Sequence, residues 1–119
     1  NTDFVIVTPD SPGPEFQLST GGNLSILGTL SVNGGSVTVP DYVFADDYNL
    51  RPLSEVRTFI EANSHLPEVP SETEIAKSGL NMTDMQMTLL KKIEELTLYT
   101  LAQEETIARL QEDVATLKN

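Results

Sequence analysis

From Met82 to Asn119 the apolar positions recur at alternating intervals of four and three residues. With Met82 at heptad position d, the seam reads Met82, Gln86, Leu89, Ile93, Leu96, Thr100, Gln103, Ile107, Leu110, Val114 and Leu117, without a slip. That spacing is the signature of a left-handed coiled coil. A helix over these 38 residues would be about 57 Å long at 1.5 Å per residue. No Pro or Gly follows Gly79, so nothing folds the stretch back on itself. Its apolar stripe is therefore expected to meet copies of itself.

The N-terminal third has a different period. Phe4-Val5-Ile6-Val7-Thr8 is a β-branched run closed by Pro9, and Pro12-Gly13-Pro14 breaks the chain. Leu24-Ser25-Ile26 recurs six residues later as Leu30-Ser31-Val32 and, more weakly, as Ser36-Val37-Thr38. Short alternating strands between glycines at a fixed interval predict a repeat architecture. Each strand offers too few apolar side chains for a private core, a shortage that three chains wrapped around one axis would solve. An ordinary hairpin or meander is the alternative.

Between them, residues 41–81 read as a small α-rich segment. Asp41-Tyr42-Val43-Phe44 is expected to be extended and Asp46-Asp47-Tyr48-Asn49 to turn. A helix should start near Ser54, with Glu55 in its first turn and Val56, Phe59 and Ile60 as a buried stripe. It should end at Asn63-Ser64-His65-Leu66-Pro67, because a proline disfavours helix in the residue before it. Ser71 with Glu74 forms a capping box for a short helix closed by Gly79, and Asn81 with Asp84 caps the long one. Leu90, Leu98, Tyr99 and Leu101 lie off the seam and widen the apolar face where this segment should dock. Glu94, Glu95, Glu104, Glu105 and Glu112 read as a solvated face.

Composition narrows the classes. The net charge is −11 and the first 50 residues contain no Lys or Arg, which argues against nucleic acid and anionic membranes as partners. With no cysteine there is neither a disulfide framework nor a thiolate site. No run approaches the roughly 20 apolar residues that a membrane span needs, so no membrane insertion is expected. No signal-peptide pattern opens the chain, which starts at Asn1 as a piece of something larger would. Residues 12–16 also read as a junction between sequences of different origin, in which case residues 1–11 lie outside the natural context.

The block from Asp41-Tyr42-Val43-Phe44-Ala45-Asp46-Asp47-Tyr48-Asn49-Leu50-Arg51-Pro52-Leu53-Ser54-Glu55-Val56 resembles the opening of a C-terminal module of bacteriophage tail fibres and of large fibre or adhesin proteins, notably from Bacteroidetes. The resemblance continues through His65-Leu66-Pro67-Glu68-Val69-Pro70-Ser71 and Gly79-Leu80-Asn81-Met82. It ends in Leu89-Leu90-Lys91-Lys92-Ile93-Glu94-Glu95-Leu96-Thr97-Leu98-Tyr99. In layout the module is similar to the endosialidase-type intramolecular chaperone, a small mixed segment followed by a terminal helix that trimerises. That resemblance implies an extracellular homotrimer, on a cell-surface fibre or a virion tail fibre, with an intertwined or prism-like β stem. The heptads alone leave dimer and trimer open, since Ile at a with Leu at d favours two strands while Thr100 and Gln103 make polar layers. The self-cleaving chaperones begin with a Ser-Asp pair followed by a Lys-Glu-Asn block. Here the junction is Val39-Pro40-Asp41-Tyr42, with no serine nucleophile, so self-cleavage is the least favoured of the alternatives.

The expected architecture is α+β: a β-repeat stem over 1–40, a small α-rich segment over 41–81 and a parallel coiled-coil trimerisation helix over 82–119. The expected function is trimerisation and chaperone-like folding of a fibre used in adhesion, with a receptor-binding tip for host recognition as the rival. No catalytic, cofactor-binding or metal residues are expected, since adjacent Asp46 and Asp47 read as turn formers. A glycan or surface-protein receptor would be met by Tyr48 and His65, with Tyr42 and Phe44 assigned to the core.

Overall fold

The computed structural model describes residues 2–32 and 37–118. It is a mixed α+β chain with three short antiparallel strands, a 3-10 turn and three α-helices, the last one long and extended. It divides into two compact units, Asn1–Gly34 and Gly35–Asn119. The small middle segment shares a unit with the terminal helix.

The first unit is a meander of β1 (Phe4–Ile6), β2 (Phe16–Leu18) and β3 (Leu24–Ile26) in that order. The turn into β3 needs Gly22, whose φ of 83° is left-handed. Phe4 pairs with Leu18 and Ile6 with Phe16, while Phe16 pairs with Ile26 and Leu18 with Leu24. Directly paired residues share a face, so these six side chains make one wholly apolar face, with Val5, Gln17 and Ser25 on the other. No described residue of this unit is buried. Glu15, within the stretch read as a junction, is bonded into the sheet: it donates its amide to the Ile6 carbonyl and accepts from Leu27. Of the six-residue repeats, only the first is a strand; Leu30-Ser31-Val32 is not, and the third falls partly outside the described residues.

In the second unit, Pro40–Phe44 is a 3-10 turn where extended chain was expected. Pro40 occupies its first position, where a missing N–H costs nothing, and the turn aims Val43 inward to 1% exposure. The helix α1 (Leu53–Asn63) starts a residue before Ser54, with Pro52 at the N-cap, and ends at Ser64 in the left-handed region. Its apolar stripe is only half covered. The helix α2 (Glu72–Ser78) carries the expected capping box and stops at Gly79, whose φ of 79° suits glycine. The helix α3 (Met82–Leu117) begins at Asn81, whose side chain accepts from the Asp84 amide.

The 3-10 turn lies on α3 and the tyrosines fasten the rest. Tyr48 donates its hydroxyl to Glu95 at 3.0 Å, and Tyr99 donates to the Arg51 carbonyl. Burial, then the bond to Glu95, pushes the Tyr48 phenol from 10.0 up to about 12. Because the folded value lies above the free one, the bond's contribution is complete below pH 10 and is lost as pH rises towards about 12. Tyr48→Phe should cost about 1–2 kcal/mol at neutral pH and flatten the loss of stability over that alkaline interval. Denaturation midpoints taken against pH at fixed protein concentration check this, and parallel curves for both proteins would refute it.

Candidate association surface

Every seam residue from Met82 to Leu117 lies on α3 and is exposed. Ile93 and Leu96, in the middle of the apolar run, are 60% and 62% exposed. The covered residues lie on the other side of the same helix. Glu94 and Glu95 are buried, and Thr83, Met85, Met87, Thr88, Leu90, Lys91, Lys92, Leu98 and Tyr99 are half-buried. These are heptad positions b, c, f and g, with Thr83 and Leu90 at e. The small middle segment thus sits on the back of α3 and leaves the a/d stripe bare. Beyond Tyr99 no side is covered: every residue from Thr100 to Lys118 is exposed. A lone helix of that length is marginal in water.

The reading of Glu94 and Glu95 as a solvated face is corrected here, because helix positions b and c receive the docked segment. Glu95 is fully engaged, by Tyr48 on one oxygen and by Lys92 at 2.9 Å on the other. Glu94 Oε2 has no hydrogen-bond partner among the described residues, and burial, followed by the charge of Asp41, raises its carboxyl above the ordinary value. Glu68, with a left-handed φ of 66°, reaches Lys91 and Lys92. Burial pushes its carboxyl up, but the two ammonium groups outweigh that and hold it below the usual range. This clamp ties the Leu66-Pro67-Glu68 turn to α3.

Beside the seam, on the g flank, an open apolar groove of about 410 Å³ runs between α1 and α3. Leu53 and Val56 form one wall, Leu66 and Pro67 the end, and Leu89, Ile93 and Leu96 of the seam itself the other wall. Groove and seam are one continuous apolar surface. Leu101, expected to help dock the middle segment, is on the opposite flank and 51% exposed.

The two candidate receptor contacts are not brought into one cleft. Tyr48 is half-buried with its hydroxyl committed to Glu95, and its ring centroid lies 6.0 Å from that of Tyr42. His65 stands edge-on to Phe59 at 5.4 Å, its Nδ1 2.9 Å from the Leu66 carbonyl, and lines a shallow depression with Glu68, Val69 and Glu74. Tyr42 and Phe44, assigned to the core, are 46% and 52% exposed, because the 3-10 turn gives the interior to Val43 instead. Among the described residues no three His, Cys, Asp or Glu gather as metal ligands, and no helix is long and apolar enough to cross a membrane. No protein-family model matches the chain, and no curated protein or solved structure matches it significantly.

An exposed side chain within one chain should tolerate a charge at a cost within about 0.5 kcal/mol. Ile93→Asp should instead abolish association and sharply reduce helix content, while Ala102→Asp, exposed but off the seam, should do neither. Sedimentation equilibrium with circular dichroism makes the comparison, and equal behaviour of the two variants would deny the seam a role.

Proposed function

We propose that this chain is a homotrimeric, C-terminal association and folding module of an extracellular or virion fibre-like protein used in adhesion. The observation that carries the reading is the division of α3 into two faces. Its back holds the small middle segment, while its heptad seam stays bare along the whole helix. A helix built for one chain would bury its apolar stripe against that chain. This one turns the stripe outward, as a partner helix requires.

The sheet of the first unit supports the same reading independently. Its six-residue apolar face is uncovered, with Phe4 at 60% exposure. A three-stranded sheet with one bare apolar face needs a cover. Three such sheets facing a common axis bury all three faces at once, whereas a lone meander leaves each one wet. The resemblance of residues 41–99 to fibre-terminal modules favours the same count of three.

In this reading the helices act first. Coiled-coil contacts are regular and form along one local element, whereas pairing of sheets from separate chains brings distant segments together before any contact repays the entropy. By zipping Met82–Leu117 in register, the module would hold three stems at high effective concentration and start their folding. Dimer formation is the runner-up.

Sedimentation equilibrium or light scattering should give a molar mass of three 13.0 kDa chains. Removal of residues 82–119 should yield aggregating or unfolded chains rather than trimers. A truncated protein that stays folded and trimeric but no longer binds cells would replace this reading with that of a receptor-binding tip.

A further inference from the structure

The groove on the g flank of α3 has no occupant among the described residues, yet its floor is apolar and Leu53 in its wall is 47% exposed. Leu101 has the opposite problem. It is a large apolar side chain at position b, off the seam, and 51% exposed. It stands about 200° around the helix from Tyr99 at 100° per residue, so it cannot reach the groove of its own chain.

In a parallel bundle the g flank of one helix faces the e and b flank of the next. Helical side chains lean towards the N-terminus, so each g residue meets an e residue about five positions further along the neighbour. Applied to this chain, that rule sets Met85 against Leu90, Lys92 against Thr97, Tyr99 against Glu104, Thr106 against Gln111 and Asp113 against Lys118. None of these pairs sets like charges together, and the last is an ion pair. Leu101 lies between Thr97 and Glu104 on that e and b flank, and so at the level of Lys92 and Tyr99, which line the groove.

Resting on the parallel association proposed above, we propose that the groove is the receptor for the partner subunit's Leu101. The partner subunit's Glu104 then falls beside Arg51, whose backbone oxygen is fixed by Tyr99 and whose guanidinium lies 5.6 Å from the Phe59 ring centre. The occupant is a second copy because the groove is continuous with the seam through Leu89, Ile93 and Leu96. Any chain that covers the seam must also pass the groove. The small middle segment thereby becomes a collar that each chain lends to its neighbour, closing the bundle sideways at the level of Leu101.

The absence of native cysteine makes the test clean. The full chain carrying Leu53→Cys and Leu101→Cys together, oxidised with diamide, should run as a covalently closed trimer on a non-reducing denaturing gel, while either single substitution should not close a ring. A covalent dimer alone supports the groove contact and overturns the count of three. Leu117→Cys, on the seam but far from the groove, reports association by itself. If Leu117→Cys cross-links and the pair does not, the groove proposal is overturned and the association stands. If neither cross-links and the unmodified protein sediments as one chain, the association reading itself fails and takes the groove with it. Leu101→Asp, harmless to a lone helix, should raise the dissociation constant at least ~10-fold; an unchanged constant also overturns the proposal.

Discussion

The bare apolar stripe of α3 is the constraint from which the rest follows. Within one chain the helix finds partners only for its first half, and only on its back. There the 3-10 turn seats Val43 and Pro40, Tyr48 and Tyr99 bond across, and Glu68 spans two lysines. The middle segment has no substantial interior apart from these contacts. It is a structure built upon a helix, and the helix in turn lacks a reason to exist between Thr100 and Lys118 without company. Stability of the whole unit is thus coupled to whatever covers the seam.

The polar layers in that seam are chemically less awkward than their composition suggests. Thr100 donates its hydroxyl to the Leu96 carbonyl at 2.9 Å, so a buried layer would carry no orphaned donor there. Gln103 offers both a donor and an acceptor and can be matched by identical residues at the same level. A slip of one heptad would set Thr100 and Gln103 against Ile107 and Leu110 of a neighbour. The buried amide would then be left unpaired. In the proposed coil such layers would weaken association slightly and fix its register, which is the property a module that aligns chains requires.

The parts of this fold governed by local rules were legible in the sequence. The capping box at Ser71 and Glu74, the Asn81 cap, the stop at Gly79 and the unbroken heptads all depend on residues within four positions of each other. What escaped depends on packing. Glu94 and Glu95 look solvated by composition and become buried only because the middle segment settles on positions b and c. The 3-10 turn reversed the roles of Val43 and its aromatic neighbours, a swap that hangs on Pro40 starting a tight turn rather than extending a strand. Leu30-Ser31-Val32 repeats the pattern of β3 without its pairing, because strand formation is decided by a partner and not by alternation alone. The groove had no signal in the sequence, since its two walls are some 40 residues apart.

Strand length gives the order of assembly its physical force. Each strand of the first unit spans three residues, and register over three residues is weakly specified by backbone hydrogen bonds. Such strands, exposing Phe4, Ile6 and Leu24 on one face, are the kind of surface that pairs with wrong partners when chains meet at random. A terminal helix with eleven seam positions has far more information about alignment than any of the strands. If the helix zips first, the sheets meet only in the arrangement it permits, and the sticky face that threatens aggregation becomes the core of the stem. The acidic surface adds to this, because chains carrying −11 each repel one another at long range unless a specific apolar contact holds them. In the proposed assembly, charge would keep random encounters short and the seam would reward the one encounter that is in register.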